Sequence, residues 1–160
     1  DDLIRTVGRY QVLHAGVPQP HLCGTSVEIG GPGDNTRLGN RRRIEAGTYP
    51  LATQKGLSYA TLGYVINDDP AQRPKPGLAL LRTGKRKGII IHQGSGFIMS
   101  IGCINLAGIL ADTDQDICQV DSRDRVVALI TDLTRFFGSS FPRGNGRRIR
   151  NAQVVICGEP

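Results

Sequence analysis

Glycine and proline interrupt this chain so often that its apolar residues never run far. Twenty-one glycines and nine prolines stand among 160 residues. Only one window carries a helical period, in which Val126, Ile130, Leu133 and Phe137 recur at i, i+4, i+7 and i+11. Short apolar runs joined by turn-rich segments predict a mainly β architecture with one main α-helix. A mass of 17.3 kDa predicts a single domain over residues 1–160. At that size about two-thirds of the unfolded chain's surface is buried on folding, so neither metal nor disulfide is needed to hold a core.

In chain order, strands are expected over residues 6–14 and 21–29, separated by a turn at 16–20. Another is expected over 44–53, bending at Gly47 and meeting a sheet edge at Pro50. Residues 57–66, 78–82, 89–91 and 152–157 complete the set. Residues 30–39 read as a loop, and 67–77, with prolines at 70, 74 and 76, as a long connection serving either as a lid or as a plain insertion. The helix is expected over 122–137, with Ser122 as N-cap, Asp124 near its start and Gly138 as its stop. Residues 111–121 read as irregular, and 139–150 as a glycine- and arginine-rich turn.

The formal charge of +6 concentrates at residues 41–43, 85–87 and 147–150. These clusters are either solvated loop charges or a surface for an anionic partner such as an envelope polymer. Aromatic residues make up 5% of the chain and tryptophan is absent, so the stacking platforms of a nucleic-acid binder are missing and none is expected as a partner. No apolar run approaches the ~18 residues a membrane span needs. The start at Asp1-Asp2-Leu3 is not a secretory signal, which fits a cytoplasmic protein, a trimmed export product or a delivered effector.

The four cysteines, Cys23, Cys103, Cys118 and Cys157, contain no C-x-x-C pair, so no structural zinc is expected. One disulfide among Cys23, Cys118 and Cys157 would leave a thiol over, and buried free thiols are the simpler reading. His14 and His21 flank a turn but lack a third ligand, so no metal and no cofactor is assigned. Glu28 and Glu45 read as fold-stabilising carboxylates or as binders of a substrate ammonium.

The chemistry concentrates in residues 89–106, I-I-I-H-Q-G-S-G-F-I-M-S-I-G-C-I-N-L. The triplet 89–91 reads as a buried strand delivering His92 to a loosened turn at 93–96, and a second apolar run carries Ser100, Gly102 and Cys103. A thiol reacts through its thiolate, and an imidazole can take its proton, so a histidine and a cysteine on adjacent elements are a candidate base and nucleophile. Gly102 would let a substrate carbonyl approach the backbone amides, as an oxyanion hole requires. The alternative is ordinary core packing of Cys103 between Ile101 and Ile104.

I-H-Q-G followed by S-I-G-C-I-N-L resembles the active-site signature of L,D-transpeptidases of the YkuD type. It is closer to a short bacterial and phage-associated domain family of unknown function with C-x-x-x-x-E, R-I-x-A-G-T-Y, I-I-H-x-G and G-C-I pieces. Those pieces correspond here to residues 23–28, 43–49, 92–94 and 102–104, and the likeness spans about residues 3–110. It is also similar to type VI secretion effectors of L,D-transpeptidase descent. The resemblance implies an L,D-transpeptidase-like β-sandwich or barrel and a cysteine enzyme acting on peptidoglycan stem peptides in the periplasm or cell envelope, with an immunity or secretion partner. By the same carry-over Cys103 is the nucleophile, His92 the base, Ser100 a support and Gly102 an oxyanion donor, while Asn105 and Gly94 face the substrate. The family's second histidine is replaced by Ile101, and the step from His92 to Cys103 is short, 103 − 92 = 11. Both departures point toward hydrolysis or exchange rather than cross-linking.

Overall fold

The computed structural model describes residues 4–158. Strands β1 (Arg5–His14), β2 (Val17–Ile29), β3 (Gly47–Thr53), β4 (Tyr59–Ala60), β5 (Lys75–Leu80), β6 (Ile90–His92), β7 (Ile104–Ala107) and β8 (Arg148–Ile156) form one sheet, with a helix α1 (Gln119–Phe137) between β7 and β8. The sheet runs in the order β1-β2-β7-β6-β5-β3-β8, with β4 attached to β5, and curls into a half-barrel. The mainly β expectation with one helix after the cysteine therefore holds. Every pairing along the main path is antiparallel except β6 with β7.

The core follows from strand alternation. Ile89, Ile91, Ile104, Leu106, Leu78 and Leu80 turn to one face of the central strands, where Val126, Ile130 and Leu133 of α1 cover them. The opposite face of β6 and β7 is left for His92, Asn105 and the residues around them.

Several boundaries differ from expectation for identifiable reasons. The β1–β2 hairpin closes at Ala15 and Gly16, whose φ angles of 49° and 82° suit a two-residue turn, so β2 starts at Val17 and takes in both prolines. Pro18 and Pro20 lie outside the stretch of β2 that pairs with β7, Thr25 to Val27, so that side of the strand needs no N–H from them. Pro50 is not at an edge: β3 lies between β5 and β8, and the proline sits where the β3–β8 register shifts.

Residues 57–66 form only the two-residue β4, because the run has no consistent inner face. Leu57 is 93% and Ile66 is 90% exposed. The connection over 67–77 ends early, since Lys75, Pro76 and Gly77 already belong to β5. The closing strand likewise begins at Arg148 rather than 152. The helix begins at Gln119, three residues before the expected cap, with Asp121 in its first turn where the helix dipole favours a carboxylate. Ser122 is fully buried inside that turn and serves the site instead.

Candidate active site

The parallel pairing of β6 with β7 decides how the site is built. Ile91 stands opposite Ile104, and His92 opposite Asn105. Partners in a parallel pair share a face, so His92 and Asn105 lie side by side, and Cys103 lies on their face two positions before Asn105. Two residues of strand separate levels by about 7 Å. Accordingly His92 and Cys103 are on adjacent elements, as the sequence suggests, but no hydrogen bond joins them among the described residues.

The Cys103 thiol donates to the Gly88 carbonyl at 3.4 Å and accepts from the Ile90 N–H at 3.4 Å, against the start of β6. Burial pushes this thiol up, while the Ile90 N–H and the positive charge of Arg86 pull it down. The backbone N–H groups of Gly102 and Cys103 precede the β7 ladder, which starts at Ile104.

The connection over 93–103 crosses from one parallel strand to the next without a helix of its own, and it is tied down at several points. Gly94 N–H donates to Ser122 Oγ at 2.9 Å, which is why that serine is buried in α1 rather than capping it. A backbone bridge joins Gly96 to Ile117. Arg5 donates to the carbonyls of Thr113, Gln115 and Phe97, and its guanidinium lies 4.3 Å from the centre of the Phe97 ring. Ser100 Oγ reaches the Asn105 Oδ1 at 3.2 Å and the Cys103 carbonyl at 3.4 Å. The Asn105 amide in turn donates to the carbonyls of His92 at 3.1 Å and Gln93 at 3.4 Å. With only 2% of its surface exposed, Asn105 spends its polar atoms inside the protein. Gly94 is a close approach as well, since a Cβ there would stand 2.8 Å from Asn105 Cγ.

His92 Nδ1 lies 2.5 Å from the Gln93 carbonyl oxygen, which can only accept, so Nδ1 carries the hydrogen and Nε2 is the free acceptor. This carbonyl is the orienting group that the sequence does not reveal. Tyr59 packs on the imidazole at a tilt of 31°, with ring centroids 4.2 Å apart. The contact is made over Gly77, which pairs with His92 and whose missing side chain leaves room for the Tyr59 Cβ, 3.2 Å from where its own Cβ would be. Burial, and next the charge of Cys103, raise the Tyr59 phenol. Nothing in the run around Tyr59 distinguishes it in sequence from the other tyrosines, and it joins the site only through the β4–β5 pairing.

The remaining candidates fall elsewhere. His14 Nε2 meets Asp132 Oδ2 at 2.7 Å, and its ring stacks on Phe136, so it ties β1 to α1. The Glu45 carboxylate accepts from the Asn35 N–H at 3.0 Å, bracing the loop before β3. All four cysteines are free, and Cys23, Cys118 and Cys157 are exposed, contrary to both the disulfide and the buried-thiol expectations. Among the described residues no cluster of three or more His, Cys, Asp or Glu side chains is arranged to hold a metal ion, and no helix is long and apolar enough to cross a membrane.

Two buried groups give the stability opposite pH slopes. Burial lowers the His92 imidazole from 6.5 to about 4, assisted by Lys75 and opposed by the Gln93 carbonyl. The unfolded chain therefore takes up this proton first, and the stability present above pH 6.5 is lost as pH falls toward 4, by about 3 kcal/mol. Burial raises the Glu28 carboxyl from 4.5 to about 7, with Arg43 opposing, so its contribution is full below pH 4.5 and lost as pH rises through 7. Urea unfolding at pH 5 and pH 7 separates them. His92→Gln is expected to stabilise the protein at pH 5 relative to pH 7, and Glu28→Gln to steepen its loss in acid.

Comparison of the chain with protein-family models, with curated proteins and with solved structures finds no match in any of the three.

Proposed function

We propose that this chain is a cysteine acyl-transfer enzyme, related to the L,D-transpeptidases, that acts on peptidoglycan stem peptides in the bacterial cell envelope. The observation that carries the reading is the shared face of β6 and β7. It holds an oriented imidazole with a free Nε2, a partly exposed thiol, and two backbone N–H groups outside the ladder beside that thiol. Met99 and Ile101, in the connection just before Cys103, are 43% and 52% exposed and offer apolar surface to a peptide.

In this reading the thiol turns from the Gly88 carbonyl toward the substrate, and its proton passes to His92 Nε2. The sulfur adds to the amide carbonyl between an L-centre and a terminal D-residue, with the oxyanion facing the Gly102 and Cys103 amides. The imidazolium returns the proton to the leaving amine, the C–N bond breaks, and a thioester remains. Water then yields a trimmed peptide, and an amine yields an exchanged or cross-linked one. His92, unprotonated at neutral pH, is in the state a general base requires. An effector role would add an immunity or delivery partner.

Mass spectrometry of purified tetrapeptide muropeptides incubated with the protein tests the reading. Loss of terminal D-alanine, or its replacement by an added D-amino acid, is expected. An unchanged muropeptide profile contradicts it. The second reading, a non-catalytic module binding an anionic wall polymer through its basic surface, is favoured by the separation of the thiol from His92. It predicts retention on wall polymer without any change in the peptides.

A further inference from the structure

Arg86 lies in the basic triplet 85–87, which in sequence reads as surface charge. Lys85 and Lys87 are exposed as that reading predicts, but Arg86 is only 4% exposed. Its backbone is locked in a tight turn: the Thr83 hydroxyl donates to the Arg86 carbonyl at 2.5 Å, and the Arg86 N–H donates to the Thr83 carbonyl at 3.1 Å. The side chain then runs beneath the nucleophile turn. Gly102 has a φ of 99°, and a Cβ built on it would overlap the Arg86 guanidinium. The residue preceding the sulfur is thus in direct contact with a buried positive charge.

That charge is poorly neutralised. Its side-chain hydrogen bond goes to a neutral acceptor, the Asp34 carbonyl, at 3.0 Å. Among the described residues no carboxylate pairs with it. A buried guanidinium without an anion is costly, and the cost falls when a negative charge forms beside it. Among the described residues, the side chains whose charges act on the sulfur or respond to it are Tyr59 of β4 and Arg86 of the turn before β6, while His92 of β6 lies further along the same face with Lys75 of β5 near it. Of these Arg86 alone combines a permanent positive charge with burial against the Gly102–Cys103 turn.

We infer that Arg86 is a positioning residue for the nucleophile, its guanidinium serving as the fixed counter-charge of the Cys103 thiolate. When the S–H bond breaks, the proton passes to His92 Nε2, which holds it for the leaving amine, and the electron pair stays on sulfur, opposite the guanidinium. The imidazolium is then not the thiolate's sole counter-charge. Gly102 is required in this arrangement for a second reason besides its backbone angle, because any side chain would push the guanidinium away from the turn.

The inference rests on Cys103 being the nucleophile, but its test needs no substrate. In a Cys23→Ser, Cys118→Ser, Cys157→Ser background, the rate of Cys103 alkylation by iodoacetamide is followed against pH. Arg86→Met is expected to move the inflection up by about one pH unit, a roughly tenfold slower reaction at pH 7, and Arg86→Lys to restore most of it. An inflection unmoved in a folded Arg86→Met protein, or one that Arg86→Lys fails to restore, overturns the inference. Where Arg86→Met does not fold, the parent decides: an adjacent cation accelerates iodoacetate relative to iodoacetamide, so the rate ratio at Cys103 should exceed that of a free thiol such as glutathione. A ratio at or below the free-thiol value overturns the inference. A shifted inflection in a protein that leaves stem peptides intact would refute the proposed enzyme while keeping the ion pair. Retained turnover with an unmoved inflection would do the reverse.

Discussion

Cys103→Ala is expected to abolish release of D-alanine from tetrapeptide stems, with a loss of about 10³-fold or more, while leaving the fold in place. The sulfur is the strongest nucleophile in the turn that carries the Gly102 and Cys103 amides, since a thiolate is far more reactive than the neighbouring Ser100 hydroxyl, and removal of a nucleophile leaves just the residual effect of binding and oxyanion donors. The thiol's packing role is modest. It is partly exposed, and its two contacts, at 3.4 Å each, go to backbone groups at the start of β6. The unfolding midpoint of the alanine variant should therefore stay close to the parent's, so lost turnover reads as lost chemistry. Turnover retained within tenfold would remove Cys103 from the mechanism.

Gly102→Ala is expected to damage both stability and thiol reactivity, although it adds a single methyl group. The backbone there has a φ of 99°, where an L-residue is strained, and the new Cβ would collide with the Arg86 guanidinium and come within 3.2 Å of Ile89 Cδ1. Strain and overpacking together predict a loss of about 3 kcal/mol, seen as a lower midpoint in urea followed by circular dichroism. Gly96, also at positive φ with 72° but with nothing within 4 Å of its Cβ position, is the comparison. Gly96→Ala should carry the backbone penalty alone, leaving Cys103 alkylation unchanged. Equal effects of the two substitutions would mean that the contact with Arg86 contributes nothing.

The legible parts of this protein are those where one physical rule acts locally. Frequent Gly and Pro forbid long helices, and the single stretch with a helical period, Val126 to Phe137, is the helix that covers the core. Residues 89–106 stand out in the sequence as a candidate site because His92 ends one strand and Ser100, Gly102 and Cys103 fall in the connection that follows it. Tertiary pairing decides the rest. Ser122 has the composition of a cap, yet its hydroxyl serves Gly94 across the molecule, so the helix begins earlier. Residues 57–66 have strand-forming side chains but only Tyr59 and Ala60 find a partner strand. The parallel register of β6 and β7 sets Asn105, not Cys103, beside His92, and no local pattern announces it. Arg86 is hidden in the same way, since a buried arginine between two exposed lysines looks like any basic turn.

The central claim is that Cys103 becomes acylated by a stem peptide, and intact-protein mass spectrometry reads this directly. After brief incubation with tetrapeptide stems and acid quench, the parent is expected to gain the mass of the tripeptide acyl group. The adduct should map to Cys103, disappear in neutral hydroxylamine as a thioester does, and be absent from Cys103→Ala. No adduct on the parent under conditions where D-alanine is released, or an adduct that persists in Cys103→Ala, would contradict the account.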